Sequence, residues 1–313
     1  MPVVSVIIPT YNRAGLLPRA LRSALQQTMT DLEVIVLDDG STDQTRDVVV
    51  EFADPRIRHF SRPHRGVAAA RNEALLYARA SLIAFLDSDD EWVPDKLDRQ
   101  LRHLAGTAQS AGIVYSGFTS VHEDTGRRYV YAPPAFGRGM VFAKLLETHW
   151  ITFSTVVARR EVFEAVGGFN EGLRTGSDRE WLLRVARRYA FDFLPDSLAL
   201  YYQHPATSMQ RDLRGRITLI KTILDEFSHD LRRRPALHAQ KYVNLADLHL
   251  RLQERAQARR ALRRAIAIAP SSLRTYVHVV LTFGGWDLWL RFRSRWRRRY
   301  RLDRPHRKGN GAG

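Results

Sequence analysis

Between residues 83 and 97 the chain reads IAFLDSDDEWVPDKL, an apolar run that ends in Asp87, Asp89, Asp90 and Glu91. Four acids within five residues repel one another, so their place at a strand exit asks for a cation. Carboxylate oxygens are hard donors that suit Mg2+ or Mn2+, and a divalent ion held by Asp87 and Asp89 would in turn grip a diphosphate. Residues two apart on extended backbone point to the same side, which is the arrangement expected of this pair. An isolated Asp-x-Asp is also a common solvated turn that caps the next helix, so the surrounding elements have to decide.

Those elements alternate. VVSVIIP (residues 3–9), LEVIVLDD (32–39), RIRHF (56–60) and SLIAFLD (81–87) are short β-rich apolar runs. Helical spacing intervenes at Leu17, Leu21, Ala24 and Leu25, at Val48, Val49 and Phe52, and over residues 68–78. Ser41 and Gln44 have the spacing of a capping box, and Pro94 suits the first turn of the helix after it. Alternation of this kind implies right-handed βαβ units around a mostly parallel sheet buried on both faces. Ligands of such sheets collect beyond the carboxyl ends of the strands, and TYNR, DDGSTD and DSDDE all lie there. Beyond residue 105, IVYSGFTSV, the turn EDTG and RRYVYA predict a hairpin, and ITFSTVVA a strand. The Gly-rich GGFNEGLRTG leads into a helix, SLALYYQHPATSM returns as a strand, and from Arg214 onward the pattern is helical.

The chain has 313 residues, 44% hydrophobic and 26% charged, which is globular composition with length for roughly two domains. It contains no cysteine, which excludes disulfides and thiolate metal sites. MPVVSVIIPTYNR has no basic segment ahead of its apolar residues and reads as a strand rather than a signal peptide, so a cytoplasmic setting is the expectation. The net charge of +16 is one-sided: residues 1–210 hold 24 basic and 25 acidic side chains, residues 211–313 hold 25 and 8. The last third is therefore a separate electrostatic object.

Five stretches, VSVIIPTYNR, EVIVLDDGSTDQT, GVAAARNEAL, IAFLDSDDEWVPDKL and GGFNEGLRTGSDREWLLRVA, occur in an order and spacing that resemble a family-two glycosyltransferase with the A-type nucleotide-sugar-binding fold. The resemblance covers roughly residues 3–205. It implies that Thr10 and Tyr11 contact the nucleotide base and ribose. It makes Asp39 the acid that hydrogen-bonds the base and Arg71 the basic residue lining the donor pocket. Asp87 and Asp89 match the motif that binds ribose and metal, with Asp89 the direct metal ligand. Asp178 matches the catalytic base, and His204 lies where related enzymes place a His near the diphosphate or metal. The implied reaction moves a sugar from a nucleoside diphosphate sugar, most commonly UDP-linked, to a hydroxyl of a glycan or lipid-linked acceptor, with inversion and with Mg2+ or Mn2+. Two departures stand out. The family often has Glu-Asp before the catalytic helix where this chain has Ser177-Asp178. Processive synthases carry Gln-x-x-Arg-Trp where this chain has QRDLRGR, which argues for addition of one or a few sugars. Each residue also has a plainer reading: Tyr11 as a packed aromatic, Asp39 and Ser41 as turn residues, Arg71 as a partner of Glu73. Asp178 reads as an ordinary first-turn helix acid, and His204 as a half-buried strand residue.

The expected division is a catalytic domain over residues 1–210, a basic helical extension over 211–302 and a disordered tail over 303–313. Within the extension, Tyr242, Leu245, Ala246, His249, Ala258, Leu262, Ala265 and Pro270 fall at tetratricopeptide offsets over residues 242–270. One repeat cannot bury its own face, so a helical hairpin is the reading. Over residues 275–302, Trp286, Trp289, Phe292 and Trp296 alternate with arginines, which suits an interfacial helix on an anionic membrane at the inner face of the cell. His278, Gly284, Gly285 and Asp287 interrupt the run and argue against a span.

Two other classes compete. A nucleotidyltransferase also uses a metal and paired acids, but PTYNRAGL supplies only one Gly and one Arg for a phosphate loop. A nucleic-acid-binding scaffold would use the arginine tail, yet leaves the acidic rim without purpose.

Overall fold

The computed structural model describes residues 1–106, 111–203, 212–271 and 276. By contact the chain divides after Ser208 into two units.

The first unit is built on a nine-stranded sheet. In chain order its elements are β1 (Val4–Thr10), α1 (Leu17–Leu25), β2 (Leu32–Asp38), α2 (Thr45–Glu51), β3 (Ile57–Ser61), α3 (Val67–Tyr77), β4 (Leu82–Phe85), β5 (Glu91–Trp92) and α4 (Lys96–Ala105). There follow β6 (Ala111–His122), β7 (Arg128–Tyr131), α5 (Phe142–Glu147), a 3₁₀ turn (Phe153–Thr155), β8 (Val157–Arg159), α6 (Arg160–Val166), α7 (Ser177–Ala186) and β9 (Ala190–Gln203). The order across the sheet is β3-β2-β1-β4-β8-β6-β9-β5, with β7 added to β6. The first four strands are parallel. From β4 to β8 the sheet turns antiparallel, and only β6 and β9 pair in parallel beyond it, so the whole is mixed. β1 and β2 are buried along their full length, as continuous Val/Ile/Leu runs require when both faces are covered.

Three local expectations are corrected. Ser41 is not a helix cap: α2 begins four residues later with Gln44 at its N-cap, and the Ser41 hydroxyl instead accepts from the Asn12 N–H at 2.8 Å. ITFSTVVA is a strand only at its end, because Phe153–Thr155 winds into a 3₁₀ turn whose Thr155 hydroxyl and N–H both donate to the Thr152 carbonyl. Asp87 to Asp89 are not extended: the chain turns there, with the Asp90 N–H on the Asp87 carbonyl at 3.0 Å.

The second unit contains α8 (Leu213–Glu226), α9 (Ser228–Arg232), α10 (Pro235–Arg251) and α11 (Arg255–Ile268). α10 and α11 form a hairpin whose buried seam includes Val243, Ala246, Leu250, Ala258, Leu262 and Ala265. Its turn is fastened by Glu254, which meets His249 Nδ1 at 2.6 Å and Arg214 at 2.5 Å. His204 and the proposed interfacial stretch over residues 275–302, apart from Tyr276, lie outside the described residues, as does the 303–313 tail.

Candidate active site

The loop after β1 is fastened to the loop after β2. Besides the Asn12–Ser41 bond, Thr42 donates its N–H to Asn12 Oδ1 at 2.8 Å. Arg13 donates its N–H to Thr45 Oγ1 at 3.0 Å, and Ala14 to Asp43 Oδ2 at 3.1 Å. Asn12 takes a left-handed φ of 50°, a conformation Asn tolerates. Thr10 is buried, and its hydroxyl has no hydrogen-bond partner among the described residues. Tyr11 is 42% exposed and stacks on His64 with ring centroids 4.1 Å apart, forming an aromatic wall at the mouth.

Asp39 is fully engaged by its own chain. Its carboxylate accepts from the N–H groups of Arg65 at 3.0 Å and Gly66 at 2.7 Å, and lies 3.1 Å from Arg62 Nε and 2.8 Å from His64 Nδ1. Two backbone N–H groups and two neighbouring cationic or ring nitrogens thus surround the carboxylate. Asp39 therefore folds the segment between β3 and α3 over the rim. A Cβ on the preceding Gly40 would lie 2.9 Å from the His64 backbone nitrogen, so that close approach demands glycine. An Asp39 contact to a base, which the resemblance implies, would require one of these four partners to give way.

The acidic turn is held from three sides. Arg71, buried in the first turns of α3, places Nη2 2.6 Å from Asp87 Oδ1, while its guanidinium lies 4.6 Å from the Phe153 ring centre. Glu73, the alternative partner for Arg71, pairs with Arg62 instead. Asp90 is buried: Ser154 Oγ donates to it at 2.5 Å, and the Tyr202 N–H at 3.2 Å. The Asp87 N–H reaches the same Ser154 hydroxyl at 3.1 Å, and Trp92 donates its indole N–H to the Ser154 carbonyl at 2.6 Å. Arg19 stacks on the Tyr202 ring at 3.4 Å and donates to the Asp89 carbonyl at 2.6 Å. The Asp89 carboxylate is partly exposed, with Arg13 3.8 Å away.

Charge repulsion is real here. Burial raises the Asp87 carboxyl, Arg71 opposes that, and the charges of Asp89 and Asp178 raise it further. Asp90 is pushed well up by burial and by Asp87 and Asp89. The structure thus brings Asp87, Asp89 and Asp178 into one electrostatic neighbourhood. Asp178 itself lies half-buried at the head of α7, and no hydrogen bond or ion pair engages its carboxylate among the described residues.

The head of α7 is positioned from α3 and from an aromatic cluster. Asn72, next to Arg71, clasps Phe169 at two points: its Oδ1 accepts from the Phe169 N–H at 2.7 Å, and its Nδ2 donates to the Phe169 carbonyl at 2.9 Å. A Cβ on Gly168 would sit 2.3 Å from Asn72 Oδ1, so a larger residue there would displace the Asn72 side chain from its clasp. Trp181 of α7 stacks on Phe163 at 4.5 Å and donates to the Gly167 carbonyl. Adjacent residues on α3 therefore reach the acidic turn and the loop that delivers Asp178.

Sequence reasoning missed His149. It lies just after α5, which packs on α7; burial, then Arg179, hold its imidazole down at about 4, against the pull of Asp178. Its Nδ1 is buried with no hydrogen-bond partner among the described residues. A lone His between irregular segments carries no periodic signal. Arg13, His64 and Ser154 were missed for the same reason: their roles come from loops meeting in space.

A divalent metal fits this donor set in chemistry. Asp87 and Asp89 offer hard oxygens whose mutual repulsion a cation would relieve. Among the described residues no group of three acid or His side chains converges as a complete ligand set.

The fold is shared with a solved structure of Staphylococcus aureus TarS 1-349 in complex with UDP-GlcNAc: TM-score 0.62 at 20% identity, covering 90% of this chain and 84% of that one. The mannosyltransferase PcManGT from Pyrobaculum calidifontis, solved with GDP-Man and Mn2+, gives a TM-score of 0.56 at 26% identity, covering 89% and 79%. The model of glycosyl transferase family 2 matches residues 5–167, and the chain belongs to that family. Among its relatives, the chain is 32% identical over 206 residues to TuaG of Bacillus subtilis, described as a putative teichuronic acid biosynthesis glycosyltransferase, covering 64% of this chain and 79% of that protein. It is 32% identical over 197 residues, 62% of this chain, to the chondroitin synthase of Pasteurella multocida, and spans only 20% of that protein's length.

Proposed function

We propose that the protein transfers a sugar from a nucleoside diphosphate sugar, UDP-linked in the leading form, to a hydroxyl of a glycan or lipid-linked acceptor in surface polysaccharide assembly, with inversion. The observation that carries this reading is the half-buried carboxylate of Asp178, which no hydrogen bond or ion pair engages among the described residues, in the electrostatic neighbourhood of the Arg71–Asp87 pair. A general base needs such an uncommitted carboxylate to take a proton.

In the proposed reaction Asp178 accepts the proton of the acceptor hydroxyl as that oxygen attacks the anomeric carbon. The bond from that carbon to the diphosphate oxygen breaks, and its electron pair leaves with the nucleoside diphosphate. Attack from the face opposite the leaving group inverts configuration. The guanidinium of Arg71, held against aromatic rings, is placed to meet the developing negative charge. Tyr11 and His64 would offer a stacking wall for the base, and the Thr10 hydroxyl, without a hydrogen-bond partner among the described residues, a polar contact beside it. Asp89, with Asp87, would hold Mg2+ or Mn2+, which when bound supplies charge neutralisation at the diphosphate. His204 remains a proposed third ligand. The Mn2+ and nucleotide-sugar complexes of the neighbouring structures support this assignment.

The test is a panel of UDP- and GDP-sugars with released nucleoside diphosphate as the readout, with and without Mn2+. Asp178→Asn should lower turnover by about 10²–10⁴-fold and leave donor binding in place. Asp89→Ala should weaken metal-dependent donor binding. Turnover in Asp178→Asn within tenfold of the parent would remove Asp178 as base. Formation of a nucleoside triphosphate and a sugar 1-phosphate from the same donors when pyrophosphate is added, with no release of nucleoside diphosphate, would favour a nucleotidyltransferase.

A further inference from the structure

Helix α11, RAQARRALRRAIAI, carries five arginines and no acid in its 14 residues. Arg255, Arg259, Arg260, Arg263 and Arg264 are all exposed, while Ala258, Ala261, Leu262 and Ala265 are buried in the hairpin seam. Helical spacing makes Arg259 and Arg263, and Arg260 and Arg264, one-turn neighbours, and like charges at that spacing destabilise a helix. Arg255 stands in the first turn, where the helix dipole disfavours a cation. Arg255, Arg260, Arg263 and Arg264 enter no ion pair among the described residues. The nearest acid in sequence, Glu254, is taken by His249 and Arg214. Folding gains no ion pair from these four among the described residues, and their charge is complementary to an external anion.

We propose that the arginine face of α11 docks on the anionic surface of a lipid bilayer. The stripe from Arg255 to Arg264 extends about 15 Å along the helix axis, long enough to meet several lipid headgroups at once. The sequence that follows argues for lipid over nucleic acid. Trp286, Trp289, Phe292 and Trp296 are interleaved with arginines there, and amphipathic aromatics with basic residues suit the headgroup region. Among the described residues no helix is long and apolar enough to cross a membrane. The inference stands apart from the proposed glycosyl transfer, and its test does not read activity.

The experiment is co-sedimentation of the full chain with vesicles of phosphatidylcholine alone or with about a third phosphatidylglycerol. The parent should bind only the anionic vesicles and be released by high salt. Each basic residue near such a surface is worth about fivefold in partitioning, the equivalent of about 1 kcal/mol. The variant Arg255→Gln/Arg260→Gln/Arg263→Gln/Arg264→Gln should therefore bind a few hundredfold more weakly, and Arg263→Gln/Arg264→Gln about 25-fold more weakly. Both should keep the parent's helical circular dichroism. Unchanged binding by the folded variants, equal binding to neutral vesicles, or tighter binding to a nucleic-acid duplex at the same salt would overturn the proposal.

Discussion

The rim carries two kinds of acid. Asp39 is buried, accepts two backbone N–H groups and lies within ion-pair distance of Arg62 and His64, whereas the Asp178 carboxylate is half-buried and meets no hydrogen bond or ion pair among the described residues. The contrast extends to their surroundings. Around Asp39, side chains and backbone groups staple three loops together before any ligand arrives. Around Asp178 the α3 clasp and the aromatic cluster fix the helix but leave the carboxylate open. One region spends its polar groups on shape, and the other leaves a carboxylate uncommitted among the described residues, as the proposed transfer requires. Preorganised support around an uncommitted reactive group is what a transfer site needs.

The comparison breaks most sharply by truncating each acid. Asp39→Ala leaves the Arg65 and Gly66 N–H groups without their acceptor and the buried Arg62 with Glu73 as its remaining carboxylate, so a loss of about 2–4 kcal/mol is expected. Asp178→Ala removes no partner and should shift stability by less than about 0.5 kcal/mol in either direction. Urea unfolding of both variants measures this directly. Equal losses would mean that Asp178 has a structural role the geometry does not reveal.

Much of the rim is legible in the sequence because it follows strand order. Apolar runs place β1, β2 and β4, and their polar ends put Thr10, Tyr11, Asp39, Asp87 and Asp89 at one rim, while their roles there come from the resemblance. Asp178 came from the ordered set of motifs, since a first-turn helix acid alone says nothing. What stayed hidden depends on contacts distant in sequence. His149 meets the charge of Asp178 across 29 positions, and Ser154 joins Asp87, Asp90 and Trp92 from a 3₁₀ turn that reads as strand. The turn at Asp87 to Asp89 was missed because a strand pattern does not announce where extension stops. The arginine stripe was visible only as net charge until α11 separated its exposed face from its buried one.

His149 sharpens the contrast through pH. Its folded pKa is depressed to about 4, against about 6.5 for an unfolded His. Between those values the unfolded chain binds a proton that the folded chain does not, so stability is lost as pH falls from about 6.5 toward 4. The effect is at most about 3 kcal/mol by that shift. His149→Asn should flatten the fall of melting temperature with pH in this window. An unchanged slope would show that the imidazole is not held neutral beside Asp178.

The smallest expected effect lies beneath the acidic turn. Lys96 is fully buried, its ammonium nitrogen has no hydrogen-bond partner among the described residues, and it lies 4.0 Å from the centre of the Trp92 ring. Burial holds its pKa well below the usual lysine value. Across the range between that depressed value and the unfolded one, the unfolded chain carries the extra proton, so stability rises with pH. Replacing a buried ammonium that lacks an anionic partner with an apolar chain of similar length should stabilise the fold by about 1–2 kcal/mol, and Lys96→Met should also lose the alkaline rise. Trp92 anchors Ser154 and through it Asp87 and Asp90, so donor binding by Lys96→Met tells whether the lysine is tolerated for the sake of the rim. A more stable variant with unchanged donor affinity would place Lys96 outside the donor machinery. A more stable variant with weakened affinity would put it with Asp178, as a group kept at a cost to the fold.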